Sequence, residues 1–118
     1  MPKILLVDDS PDLAEFMTHL LNVNNFIVKT ATSKQEIMKD VEEFMPDVIL
    51  MDVRLNGEDG RELCKELKEN NQFSHIRNVL MSANPSYLEE YAQYKADDIL
   101  HKPFKIEVLI ETIKRNLS

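Results

Sequence analysis

In the opening stretch KILLVDDS, two aspartates, Asp8 and Asp9, follow directly on an apolar run. A third, Asp52, ends the apolar run of DVILMD. A serine, Ser82, ends NVLMS, and a lysine, Lys102, follows DDILH. Adjacent carboxylates repel, and each loses solvation where the strand it ends is internal. Three of them gathered at one place are hard to keep ionised without a cation. Hard oxygen donors suit Mg²⁺, which keeps octahedral geometry and several waters. Mn²⁺ is a second candidate for the same donors. A hydroxyl and an ammonium beside such a cation complete a cradle for the three equatorial oxygens of a phosphoryl group. An aspartate within that cradle is a nucleophile able to accept the group.

That chemistry requires one rim to carry all five residues, and the hydrophobic pattern supplies it. KILLVDD, FIVKTA, DVILMD, NVLMSA and DDILHK read as strands. Between them, PDLAEFMTHLLNV reads as a helix with Leu13, Phe16, Met17, Leu20 and Leu21 on one face. SKQEIMKDVEEFM is a second helix, opened by the capping-box pair Ser33 and Glu36. Gly60 to Asn70 forms a third. PSYLEEYAQY forms a short fourth, with Ser86 and Glu89 as a further capping box. KIEVLIETIKRNLS is the fifth, with Ile106, Leu109, Ile110, Ile113 and Leu117 on one side.

Five strands alternate with five helices. Continuous apolar strands joined by crossover helices predict an α/β fold, a doubly wound parallel sheet covered on both faces. FIVKTA is the least apolar strand and belongs at an edge. Ligands of open parallel sheets bind outside the carboxyl ends of the strands. Asp8, Asp9, Asp52, Ser82 and Lys102 all stand at such ends.

The bulk properties exclude other classes. The chain has 118 residues, the size of one domain, and a formal net charge of −7. That charge argues against direct binding to nucleic acid or an anionic membrane. There is no apolar run long enough to span a bilayer and no signal-peptide pattern. The single cysteine, Cys64, reads as an apolar filler on a helix face, and the cytoplasm is the expected compartment. His19, His75 and His101 have no metal-ligand spacing among them.

LLVDDS, VILMDVRLNGEDG, NVLMSAN and DDILHKPF, in this order and spacing, resemble segments of the receiver domain of two-component response regulators. The resemblance covers residues 1–118 and is similar in kind to single-domain chemotaxis receivers. It implies strand order 2-1-3-4-5. It makes Asp52 the phosphoacceptor, and Asp8 and Asp9 the acidic pair supporting Mg²⁺, with Asp9 ligating directly and Asp8 often through water. The backbone carbonyl of Arg54 completes the protein's ligands. Ser82 bonds the phosphoryl group and Lys102 pairs with one of its oxygens. It also implies a cis Lys102–Pro103 bond, an isomer that an X–Pro bond adopts at low cost. A histidine kinase or phosphotransfer protein is the implied donor. The face formed by the fourth helix, fifth strand and fifth helix is the implied surface for a downstream protein. The resemblance leaves open a stand-alone receiver or a piece of a larger regulator or hybrid kinase.

Three positions depart from the family pattern. Ile99 stands where an aromatic is usual, so aromatic coupling to Ser82 is not supplied there. Tyr87, Tyr91 and Tyr94 lie nearby. Lys95 replaces a glycine, which predicts a differently shaped loop. Asn56 replaces proline, and Asn-Gly makes an equally good turn. Arg54 and Asn84 stand at variable positions flanking the phosphoryl group, and Arg54 is expected to slow its hydrolysis.

Two other functions compete. A pseudo-receiver would bind partners without phosphorylation. A Mg²⁺-dependent phosphohydrolase would need a second aspartate two residues past the nucleophile, where this chain has Arg54, and a cap domain over the substrate.

Overall fold

The structure, a computed structural model, describes residues 1–117. Ser118, the last residue of the fifth helical stretch, lies outside them. The chain runs β1 (Lys3–Val7), α1 (Pro11–Val23), β2 (Ile27–Ala31), α2 (Lys34–Glu43), β3 (Val48–Asp52), β4 (Arg54–Leu55), β5 (Glu58–Asp59), α3 (Gly60–Glu69), β6 (Arg77–Ser82), α4 (Pro85–Leu88), a 3₁₀ turn (Tyr91–Tyr94), β7 (Asp98–His101) and α5 (Ile106–Leu117).

The five long strands pair in parallel in the order β2-β1-β3-β6-β7, which is 2-1-3-4-5 counted along the sheet-forming strands. FIVKTA is at an edge, as its polarity required. Alternation of side chains sorts the strands into two cores. Ile4, Leu6, Leu50 and Met81 face α1 and α5, packing with Met17, Leu21, Leu109 and Ile113. Leu5, Val7, Ile49, Met51 and Leu80 face α2, α3 and α4, packing with Ile37, Val41, Leu63, Leu67 and Leu88. Both faces of the sheet are therefore dry, and truncation of a central residue such as Leu50 to alanine costs about 2–5 kcal/mol.

The helices differ from the sequence pattern in instructive places. Phe16 is 60% exposed, because the buried stripe of α1 is Ala14, Met17 and Leu21. Phe16 points well away from that stripe, which a small residue, Ala14, shares with Met17 and Leu21. On α5 the buried residues are Leu109, Thr112 and Ile113, while Leu117 is exposed. Thr112 is accommodated because its hydroxyl donates to the Val108 carbonyl.

Ser33 caps α2, accepting from the Glu36 amide at 3.2 Å, but the Glu36 carboxylate closes over Thr32 rather than Ser33. The expected Ser86–Glu89 box is not formed. Asn84 is the cap instead, its Oδ1 accepting from the amide and hydroxyl of Ser86, and α4 starts at Pro85. The helix then ends within four residues and gives way to the 3₁₀ turn.

Lys95 takes the left-handed conformation at φ 62° that glycine would adopt freely. The loop therefore keeps that bend instead of avoiding it. The Lys95 ammonium also pairs with Glu69 at 3.2 Å. Cys64 is fully buried on α3, and burial pushes its thiol up to about 12.

Candidate functional site

The five strand-end residues converge. β1 stops at Val7, so Asp8 and Asp9 project where the backbone leaves the sheet. Asp52 closes β3 beside them. Carboxylate oxygens of Asp8, Asp9 and Asp52 all lie within 4.8 Å of one another. Asp8 is 1% exposed, and each of its oxygens has a partner. One accepts from the Ser10 amide at 2.9 Å and the other from the Lys102 ammonium at 2.9 Å. Asp9 accepts from the Asn56 amide at 3.1 Å. Asp52 meets Lys102 at 3.3 Å.

Asp52 has an elevated pKa. Burial is the main cause, with the charges of Asp8 and Asp9 adding to it and Lys102 opposing it. A cluster of three hard oxygen donors, one of them with its ionisation opposed by burial and by its neighbours, gains from a divalent cation. The donor set fits Mg²⁺.

Ser82, at the end of β6, is buried, and its hydroxyl accepts from the Asn84 amide at 3.1 Å. The Lys102 amide donates to the Ser82 carbonyl at 2.9 Å, which sets β7's end against β6's. The Lys102–Pro103 bond is cis. A cleft of about 290 Å³ lies over the cluster, lined by Asp52, Arg54, Ser82, Asn84, Tyr87 and Lys102.

Behind Asp52 the chain folds into a ribbon not foreseen from the hydrophobic pattern. β4 and β5 pair antiparallel around Asn56 and Gly57, both at positive φ (34° and 84°). Asn-Gly is the pair that such a two-residue hairpin loop favours. Gly60 then passes so close to the end of β3 that a Cβ there would overlap the Asp52 carbonyl oxygen.

The sequence profile of the response regulator receiver domain matches residues 4–114. The chain belongs to the response regulator receiver domain family. This receiver superposes on the chemotaxis protein CheY4 of Vibrio cholerae with a TM-score of 0.89 at 28% identity, covering 99% of both chains. It superposes on the response regulator TrrA of Thermotoga maritima, solved in complex with Mg²⁺ and BeF, with a TM-score of 0.89 at 26% identity. There it covers 99% of this chain and 100% of the other. The receiver domain of a signal transduction histidine kinase from Syntrophus aciditrophicus gives 0.88 at 30% identity, over 99% of this chain and 90% of that one. No helix among the receiver's described residues is long and apolar enough to cross a membrane.

Three contacts at the site escaped the sequence reading, which named Asn56 and the tyrosine cluster but not what they touch. Asn56 supports Asp9 through its amide, a backbone bond with no side-chain signature. Tyr87 is a wall of the cleft. Arg61 stacks against it, its guanidinium 4.9 Å from the Tyr87 ring centre. The only available hint was that the tyrosines are clustered close to Ser82 in the chain.

Proposed function

We propose that this receiver accepts a phosphoryl group on Asp52 from a phosphohistidine of a histidine kinase or phosphotransfer protein, and that the modification switches its binding to a downstream protein. The observation that carries the reading is the meeting of Asp8, Asp9, Asp52 and Lys102 at one cleft.

An Asp52 carboxylate oxygen attacks phosphorus. An O–P bond forms as the donor's N–P bond breaks, and the departing imidazole nitrogen takes up a proton. Lys102 is within reach of the oxygen that becomes more negative, and the Ser82 hydroxyl can donate to a second. Asp8, Asp9, Asp52 and the Arg54 carbonyl are the residues proposed to hold Mg²⁺, or Mn²⁺ in its place. When bound, the ion supplies charge neutralisation between the acceptor and the phosphoryl oxygens. The receiver modifies itself and loses the group slowly to water, so it is not a turnover enzyme on an external substrate. A cytoplasmic location, where such donors are phosphorylated, fits this role. The acidic net charge supports protein partners rather than nucleic acid or membrane.

An acyl phosphate on aspartate is reduced by borohydride to homoserine. After incubation with a small phosphoramidate and Mg²⁺, borohydride treatment and peptide mapping should therefore find homoserine at residue 52. Recovery of unmodified aspartate there, or homoserine elsewhere, contradicts the assignment.

A further inference from the structure

The cleft is enclosed by a closed circuit of contacts, and Arg61 is the link least expected in it. Starting at the acceptor, the Asp52 carbonyl abuts Gly60, whose amide donates to the Val53 carbonyl at 2.7 Å. Asp59, just before Gly60, caps α3 and grips Arg61 at three points. Its carboxylate accepts from the Arg61 amide at 2.9 Å, from Nε at 3.1 Å and from Nη2 at 2.9 Å. The guanidinium fixed in this way stacks on Tyr87 at 4.9 Å and on Tyr94 at 5.1 Å. Tyr87 belongs to α4 and lines the cleft. α4 is capped by Asn84, and the Asn84 amide donates to the Ser82 hydroxyl, which returns the circuit to the cleft.

Two physical properties make this circuit responsive. The segment from Pro85 to Tyr94 is four residues of α-helix and one 3₁₀ turn, so little of its position is set by its own hydrogen bonds. Leu88 anchors it in the core beside Leu63 and Leu67, and its polar attachments to α3 are the Arg61 stack and the exposed Lys95–Glu69 pair. A phosphoryl group on Asp52 also brings roughly two negative charges and three acceptor oxygens into the cleft. The Ser82 hydroxyl faces that cleft, and drawing it toward the new oxygens draws Asn84 and the start of α4 with it.

We infer that Arg61 is a positioning residue for phosphoryl acceptance: by clasping Tyr87 and Tyr94 it holds α4 and Ser82 back, so that the clasp and an occupied cleft oppose each other. Ile99 offers no aromatic at the edge strand, and here the aromatic leaves of the device are on α4 and the 3₁₀ turn. The inference rests on Asp52 being the acceptor.

The test is calorimetric titration of the intact chain with beryllofluoride in saturating Mg²⁺, for wild type, Arg61→Ala and Tyr94→Leu. Tyr94 does not line the cleft, so its substitution acts on the occupant only through the clasp. Both variants should bind beryllofluoride roughly three- to tenfold more tightly, the scale of a lost cation–π contact. Arg61→Lys, which keeps the charge and loses the planar stack, should fall between. Affinity for Mg²⁺ alone should stay within about twofold, because no link of the clasp is a member of the acidic cluster.

The chain has no tryptophan, and its three tyrosines all lie between residues 87 and 94. Tyrosine emission therefore reports this segment alone, and it should change when beryllofluoride saturates the wild type. Unchanged or weaker beryllofluoride affinity in folded Arg61→Ala or Tyr94→Leu overturns the inference. So does an equal gain in Mg²⁺ affinity, or wild-type emission that ignores occupancy. Failure of the wild type to bind beryllofluoride at all overturns the phosphoacceptor reading, and the inference with it.

Discussion

The Lys102 ammonium sits 2.9 Å from a carboxylate oxygen of Asp8, closer than the 3.3 Å that separates it from Asp52. Lys102 thus neutralises the most buried carboxylate of the cluster while staying within reach of the proposed acceptor. A divalent cation held by Asp8 and Asp9 would compete with that contact and leave the ammonium free for the proposed phosphoryl position. Lys102→Met should therefore bind Mg²⁺ about two- to fivefold more tightly, the scale of one partly exposed charge contact. The same variant should lose beryllofluoride affinity. Paired calorimetric titrations check both directions. Loss of both affinities together would show that Lys102 supports the cation rather than competing with it.

Asp52 stands against its own ionisation. Burial, with the neighbouring charges of Asp8 and Asp9, raises its pKa. The native state then holds more protons than the unfolded state as pH rises from the ordinary carboxylate range through the raised value, and stability falls across that window. Asp52→Asn should raise the metal-free Tm at neutral pH by roughly 3–6 °C. The gain should shrink as pH is lowered into the range where Asp52 is protonated. Added Mg²⁺ should stabilise the wild type more than the variant, by mass action on the folded state. Thermal melts at two pH values, with and without Mg²⁺, measure all three effects.

The glycine behind the proposed acceptor admits no side chain. Because a Cβ at Gly60 overlaps the Asp52 carbonyl oxygen, Gly60→Ala must push either the end of β3 or the start of α3. Overpacking of this kind costs about 1–3 kcal/mol. The displaced Asp52 should also be phosphorylated more slowly. Urea unfolding gives the first number and the rate of modification by acetyl phosphate gives the second. A wild-type rate in a destabilised variant would separate the close approach from the chemistry.

Arg54 is exposed and borders the cleft, paired across the β4–β5 ribbon with Asp59. Its long cationic side chain lines the cleft through which water would reach an acyl phosphate on Asp52. Arg54→Ala should shorten the phosphorylated lifetime several-fold, measured as loss of the adduct by mass after the donor is removed. An unchanged half-life removes Arg54 from the account.

Strand identity and the meeting of Asp8, Asp9, Asp52, Ser82 and Lys102 were legible because each rests on a strong local signal, whereas the full sheet order came from the family resemblance and only the edge place of FIVKTA from its polarity. Apolar runs define internal strands, and polar residues placed just after them must lie at the rim. Helix faces were less legible. Phe16 drew the eye by size, yet Ala14 faces the sheet, because a close helix-to-sheet approach selects a small residue. Asn84 was passed over as a cap, although Asn before Pro at the first helical position is a strong start signal. The Arg61 stack could not be read from spacing at all. It joins residues from α3, α4 and the 3₁₀ turn, and only the tertiary fold brings them together.

Intact mass after incubation with acetyl phosphate tests the central claim most directly, with and without Mg²⁺ and beside Asp52→Asn. The account predicts one added phosphoryl group on the wild type with Mg²⁺, none without the ion, and none on the variant. A wild type that binds Mg²⁺ yet gains no mass, or a variant that gains as much as the wild type, would contradict it.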